Sequence, residues 1–358
     1  MVIQSIRVFK KEIHFRKPAL TSRNVFKSRV IYIVKFTSDT GSVGFGEASP
    51  LEHLSIDDLP DYLEHLREIL TTCMGREELA PIPFAFPSIR FGLETAWQDL
   101  KQKEIGIIFD QNFTKGKPIS INGLVWMAPL EDMFEEAIAK IESGFKCMKF
   151  KVGAHDFDAE CDLIQAIRSK YPTPKIKIRL DANGAFVPQE ALKKMNRLSE
   201  FDIHSIEQPI RAGNWELMGQ LCSETRIPIA LDEELIGINP EVDGAELLDT
   251  CRPHYIILKP NLLGGFEVCD KWIALAESRH IKWWATSALE SDIGLNAISQ
   301  WSATYNNNLP QGLGTGALYT NNIKSPLEVK GDSLHYSETQ WGYDDFLEDA
   351  EMVLNLEN

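Results

Sequence analysis

Five residues able to hold a metal ion or move a proton recur along this chain, each directly after a short apolar run. Lys151 follows FKCMKF, Asp181 follows IKIRL, Glu207 follows IHSI, Asp232 follows IPIAL and Lys259 follows YIIL, at steps of 30, 26, 25 and 27 residues. Two carboxylates about 4 Å apart repel by roughly 4 kcal/mol at an effective dielectric of about 20. Three that converge must therefore take up protons or a cation. An all-oxygen donor set without His or Cys suits Mg²⁺, with Mn²⁺ as the alternative. Lys149 and Lys151 are separated by one residue and so share one face of a strand. Like charge and desolvation both lower a lysine pKa, which moves an ammonium toward service as a general base. A divalent metal facing such a base suits removal of a proton from the carbon next to a carboxylate, through an enediolate. Taken singly, each acid reads equally well as a helix cap or a loop salt bridge, and each lysine as a solvated rim charge. The ordered series carries the chemistry.

One strand, one helix and two loops take about 30 residues, so these steps place the five residues at the ends of successive parallel strands. In a closed β/α barrel those ends converge on one face. From about residue 116 to 324 strands and helices alternate: KPISINGLVW, LEDMFEEAIAKIESG, CMKFKVG, and so on to IKWWATSALES, about seven β/α units with one more strand near NNLPQGLG. On the second strand Met148 and Phe150 must pack outward under helices if Lys149 and Lys151 face the interior. Trp283 and Trp284 are adjacent on a strand and must face opposite ways. Residues 1 to 115 lack this rhythm. VIQSIRVFKKEIHF and RVIYIVKFTSDTGSVGFGE read as strands, and two helices follow. The first presents Leu59, Leu63, Leu66 and Leu70 on one face; the second starts at Pro87 and Ser88 and carries Phe91, Ala96 and Leu100. This is a small α+β unit, and the strand-like text after about 325 is expected to pack back on it.

The chain has 358 residues, 44 % hydrophobic and 25 % charged, with a formal net charge of −15. Such an acidic balance argues against a nucleic-acid partner, which needs clustered Lys and Arg. Cys73, Cys147, Cys161, Cys222, Cys251 and Cys269 form no C-x-x-C pair and read as reduced thiols of a cytoplasmic protein. No run reaches the 18 apolar residues of a membrane span, and the N-terminus shows no signal-peptide pattern. GLGTG lacks the spacing of a dinucleotide loop, and the eight histidines show no metal-ligand spacing.

KFKVG, RLDANG, IEQP, LDEE, LKPNLLGG and SALES in this order resemble the enolase superfamily, in its muconate-lactonising subgroup. GFGEASPL near Glu47 extends the likeness to nearly the whole chain. The resemblance implies an α/β fold: a modified (β/α)₇β TIM-type barrel over 116–324, with an α+β capping domain over 1–115 completed by about 325–358. It implies Asp181, Glu207 and Asp232 as ligands of Mg²⁺, Lys151 as acid/base with Lys149 beside it, and Lys259 as the opposing lysine. Arg179, Ser287 and the backbone of Gly312 and Leu313 match positions where the family binds substrate. The stretch from Arg16 to Arg23 matches a lid. The resemblance is strongest to dehydratases, carbon–oxygen lyases in which the lysine equivalent to Lys151 removes the α-proton and then protonates the departing hydroxyl. The implied partner is a small anionic carboxylate, with neither nucleic acid nor membrane; the oligomeric state is not set by the sequence. Two opposed lysines also suit an N-acylamino acid racemase or a dipeptide epimerase. However, GLGTGALY lacks the acidic pair that holds a dipeptide's amino group, which favours an amine-free substrate. A non-catalytic structural or binding relative is the alternative of a different class. Glu234, where relatives often have a small polar residue, departs from the pattern.

Overall fold

The computed structural model describes residues 1–20 and 25–357. The N-terminal strands β1 (Ile3–Leu20), β2 (Val25–Ser38) and β3 (Val43–Glu47) form an antiparallel sheet. Gly44 and Gly46 alternate on the β3 face that meets helix Pro87–Leu100. A Cβ on Gly44 would lie 2.3 Å from the Ala96 carbonyl oxygen, and one on Gly46 1.9 Å from that of Gly92. The GFG text thus exists because helix and strand backbones lie flush. The other helix of this unit, Tyr62–Cys73, buries Tyr62, Leu66, Ile69, Leu70 and Cys73. It begins three residues beyond Leu59, which is exposed, and Leu63 is only partly buried. The packed face is therefore rotated from the leucine stripe expected from sequence. Arg16 to Leu20 of the expected lid continue β1, while residues 21–23 of that stretch lie outside the described residues.

The chain then makes a short strand β4 (Ile119–Ser120) and enters the parallel strands β5 (Gly123–Val125), β6 (Cys147–Lys151), β7 (Lys177–Asp181), β8 (Ser205–Glu207), β9 (Ile229–Leu231), β10 (Tyr255–Leu258) and β11 (Lys282–Ala285). They are hydrogen-bonded in sequence order. Gln311–Gly312 bridges Ile121 on one side and Thr286 on the other, so an eighth strand closes the cylinder at the place expected near NNLPQGLG. Met148 and Phe150 are buried in the large core between strands and helices, and Lys149 and Lys151 occupy the opposite, interior phase. The two tryptophans of β11 divide as expected. Trp284 lies in an interior cluster with Ala230 and Ile257, and Trp283 packs on Trp301 and Tyr305.

The C-terminal strands split. β12 (Leu327–Lys330) and β13 (Ser333–Tyr336) form a hairpin paired with β4, and only β14 (Glu351–Glu357) returns to the N-terminal sheet, antiparallel to β1. Leu334 explains the difference from expectation, since it is buried with the barrel core. Glu47, fully buried at the end of β3, ties the N-terminal sheet to the barrel. It accepts from Ser291 Oγ (2.5 Å), Ser291 N (3.1 Å) and Gly294 N (3.2 Å) at the start of helix Asp292–Ala303, where a carboxylate also complements the helix dipole.

Burial raises several carboxyls that the site does not use. Glu94, bonded to Phe266 N, and Asp99, bonded to Phe45 N and Gly106 N, are each pushed up to about 7. Asp57 and Asp292 are pushed up to about 6. A folded-state pKa above the unfolded one means the native protein holds protons that the unfolded chain releases, so stability is lost as pH rises through 6 to 7. With the metal chelated, the unfolding midpoint is expected to be about 3 °C or more higher at pH 6 than at pH 8. A midpoint that holds or rises from pH 6 to pH 8 would refute the assignment of these groups.

Candidate active site

β6, β7 and β8 run in a register that sets Lys151 beside Asp181 and Asp181 beside Glu207. Asp232 follows β9 and Lys259 follows β10. All five residues predicted from the spacing thus meet at the C-terminal mouth of the barrel. Asp181, Glu207 and Asp232 are buried, and each offers an oxygen within 4.8 Å of the others. Lys149 Nζ lies 2.8 Å from Glu207 Oε2 and 3.0 Å from Asp181 Oδ2. Lys151 Nζ lies 2.6 Å from Asp181 Oδ2, and Lys259 Nζ 2.6 Å from Asp232 Oδ2.

The two lysines of β6 are electrostatically unlike. Burial lowers Lys149, but Glu207 and Asp181 beside it more than offset that, and its net shift is upward. Lys151 is shifted downward: burial dominates, Asp181 opposes it, and the ammoniums of Lys149 and Lys259 add to the lowering. Lys259 is lowered by burial, but the charges of Asp232 and Glu233 and the hydrogen bond to Asp232 together outweigh that, and its net shift is upward. Among the acids, burial raises Asp181, yet Lys151 and Lys149 overcome it and the net shift is strongly downward. Glu207 is raised by burial and by the neighbouring Asp181 and Asp232, against the pull of Lys149.

The donor set fits a divalent cation. Glu207 Oε1 is buried without a hydrogen-bond partner among the described residues, and its carboxyl is shifted toward protonation. Both are what an anionic cluster shows before a cation is added. Oxygens sharing a small ion lie within about 4 Å of one another, so minor side-chain rotation converges the three.

Sequence reading missed Asn183 and Glu233. Asn183, at φ +46° in the turn after β7, accepts from Lys151 Nζ at 2.8 Å and donates from Nδ2 to Glu233 Oε1 at 2.9 Å. Its place two residues past Asp181, in a turn that tolerates a left-handed Asn, is the signal that could have found it. Trp126 was missed too, although it falls in phase with Lys149 and Lys151 one strand away. Its ring centroid is 5.9 Å from Lys151 Nζ. Glu234 now has a place: it accepts from Gln208 Nε2 (2.8 Å) and Gly213 N (2.7 Å), bracing the loops after β8 and β9.

The residues matched by resemblance scatter more. Ser287 and Gly312 line the cavity over the mouth, together with Lys151, Lys259, Trp126 and the Leu51–Leu54 loop. Arg179 does not line it. Its guanidinium carbon is 3.8 Å from the Trp284 ring centroid within the barrel, and it donates to Pro310 O (2.8 Å) and to Asn122, a lining residue (3.2 Å). The Leu313 side chain is buried in the barrel core. Its backbone, the part matched by resemblance, lies between Gly312 and Gly314, which border the cavity.

A barrel of this topology, with acids at three successive strand ends between two lysines, is that of a (β/α)₇β enzyme whose buried carboxylate triad is consistent with a divalent metal. The family described as enolase C-terminal domain-like matches residues 132–342, and the chain belongs to this enolase superfamily. An o-succinylbenzoate synthase from Desulfotalea psychrophila is 42 % identical over 92 % of this chain and 98 % of its own length. The crystal structure of MenC from that organism superposes with a TM-score of 0.81 at 38 % identity, covering 93 % of this chain and 99 % of that one. The dipeptide epimerase of Enterococcus faecalis, solved with Mg and a dipeptide, shares the fold at a TM-score of 0.82 and 21 % identity, covering 96 % of this chain and 99 % of that one. No described helix is long and apolar enough to cross a membrane.

Proposed function

We propose that this chain is an o-succinylbenzoate synthase of menaquinone biosynthesis. It would remove water from 2-succinyl-6-hydroxy-2,4-cyclohexadiene-1-carboxylate. The 42 % identity to such an enzyme across nearly the full length of both chains carries the reading. Asp181, Glu207 and Asp232 would hold the ion; Mg²⁺ is preferred to Mn²⁺ on the hard, all-oxygen donor set. When bound, it supplies positive charge that stabilises the anion developing on the substrate carboxylate.

The chain's own residues do the rest. Lys151, with its lowered pKa, takes the proton from the carbon next to the carboxylate. The carbon–oxygen bond to the ring hydroxyl then breaks, and Lys151 returns the same proton to the departing oxygen on the same face, so that water leaves and the ring becomes aromatic. Lys259 stays protonated on the opposite side and stabilises the anion. Lys149 stays protonated against Glu207 and Asp181 and keeps both carboxylates aligned. Asn183 supports Lys151 with a neutral acceptor that Glu233 holds in orientation. In this reading residues 116–324, with the Leu327–Tyr336 hairpin packed on them, are the catalytic domain, and 1–115 with the returning strand β14 are the cap that closes over a small anionic carboxylate. The buried free cysteines fit a reducing, cytoplasmic setting.

Two lysines on opposite faces also allow racemisation of an N-acylamino acid, so the assay must compare both reactions. The enzyme with Mg²⁺ is expected to dehydrate the cyclohexadiene carboxylate at least about tenfold faster, by kcat/KM, than it exchanges the α-proton of an N-succinylamino acid with deuterium from solvent. The reverse ranking would make it a racemase, and neither activity would return it to a binding protein.

A further inference from the structure

We propose that Asn261 is a positioning residue through which the N-terminal cap places Lys259. This rests on the dehydratase reading only for the reaction in which the placement is measured. Lys259 follows β10 and opens a tight turn that leads through Gly264 into helix Gly265–Glu277. Its carbonyl accepts from Leu262 N at 2.8 Å and from Leu263 N at 3.1 Å. The single helical turn Pro260–Leu263 is thus built on the backbone of the lysine itself, and whatever holds that turn fixes the root of the Lys259 side chain.

The cap grips the turn at both ends. At the far end Gly265 lies flush on helix Pro87–Leu100. A Cβ there would fall 2.3 Å from Glu94 Oε2, and that oxygen accepts from Phe266 N at 2.6 Å. At the near end Asn261 Nδ2 donates to the Ser49 carbonyl at 2.8 Å. Ser49 stands two residues past the end of β3, just before the Leu51–Leu54 loop that borders the cavity. The same carbonyl accepts from Arg29 Nη2 at 2.5 Å, and Arg29 Nη1 donates to the carbonyl of Ala288, in the cavity wall after β11. One carbonyl of the cap therefore joins the cavity roof, the Lys259 turn and, through Arg29, the wall beyond β11.

Packing alone does not call for an asparagine here. Asn261 is fully buried, and its Oδ1 has no hydrogen-bond partner among the described residues. A buried amide oxygen left in that state costs stability, and a leucine of similar size would avoid the cost. Nor does the Ser49 carbonyl depend on Asn261 to be satisfied, since Arg29 donates to it as well. What Asn261 adds is the link between the cap and the turn. Lys259 is then held from two sides: its ammonium by Asp232 Oδ2 at 2.6 Å, and its backbone by the cap. A shift of about 1 Å at that root is enough to take the ammonium off the anion that it stabilises.

Steady-state dehydration by the Mg²⁺-loaded enzyme tests this. Asn261→Leu is expected to lower kcat about tenfold while KM stays within about threefold and calorimetric Mg²⁺ affinity within about twofold. Its thermal midpoint should hold or rise, because the unpartnered oxygen is gone, whereas loss of a merely structural amide would lower it. In a Lys259→Ala background the same substitution should cause no further loss, as expected of a residue that acts only through Lys259. Amide hydrogen exchange at Leu262 and Leu263, whose N–H groups bond the Lys259 carbonyl, should quicken in Asn261→Leu. An unchanged kcat overturns the proposal, as does an equal tenfold loss when Lys259 is already absent. If leucine prevents folding, Asn261→Ala, with a smaller side chain, takes its place in the same cycle. If the wild type does not dehydrate the cyclohexadiene carboxylate, the dehydratase reading fails by itself. Hydrogen exchange then decides the role of Asn261, and unchanged protection at Leu262 and Leu263 overturns it.

Discussion

Lys151→Ala is expected to lower the dehydration rate at saturating substrate by about 10⁴-fold while leaving the fold and product binding intact. Lys151 is the group whose environment moves its pKa down, by burial and by the ammoniums of Lys149 and Lys259. Its amine is aimed by two acceptors, Asp181 and Asn183, at 2.6 and 2.8 Å. Lys149, two residues earlier on the same face, is shifted the opposite way and cannot substitute. Stopped assays with Mg²⁺ and calorimetric binding of o-succinylbenzoate measure the two quantities. Residual turnover within about tenfold of wild type would mean that another group moves the proton.

Chelation of the divalent ion should have a comparable effect, at least about 10³-fold, reversed by adding Mg²⁺. The same ion should stabilise the fold. At about 100 times its dissociation constant it contributes roughly 2.7 kcal/mol, or a midpoint increase of about 4 °C for a chain of this size. The increase should vanish in Glu207→Gln, which keeps the size of the side chain but removes the charge whose Oε1 has no hydrogen-bond partner among the described residues. Activity that survives chelation, together with a midpoint indifferent to Mg²⁺, would exclude Asp181, Glu207 and Asp232 as an ion site.

Much of this site could be read before the fold was known, because its pattern is periodic and local. A charged residue ending an apolar run every 25 to 30 residues is a statement about strand ends, and Lys149 and Lys151 share a face through the two-residue repeat of any strand. The same logic held for Met148 and Phe150 and for the division of Trp283 from Trp284. It failed where an element's face or destination depends on partners far along the chain. Helix Tyr62–Cys73 starts beyond Leu59, so its buried stripe keeps Leu66 and Leu70 of the leucine row but is completed by Tyr62, Ile69 and Cys73. The Leu327–Tyr336 hairpin joins β4 because Leu334 finds the barrel core.

What the sequence by itself determined is which residues stand at the barrel mouth and what kind of chemistry oxygen donors and amines can do there. Only the tertiary structure decided their surroundings: that Lys149 is shifted toward the charged form and Lys151 away from it, that Asn183 and Glu233 hold the Lys151 amine in place, that Arg179 stacks on Trp284 within the barrel, and that the Ser287 hydroxyl is bonded to Glu290. The reason is that membership of a strand end follows from short-range periodicity. A pKa or a committed hydrogen bond depends on burial and on distances of a few ångströms between groups that are 30 or more residues apart in the chain.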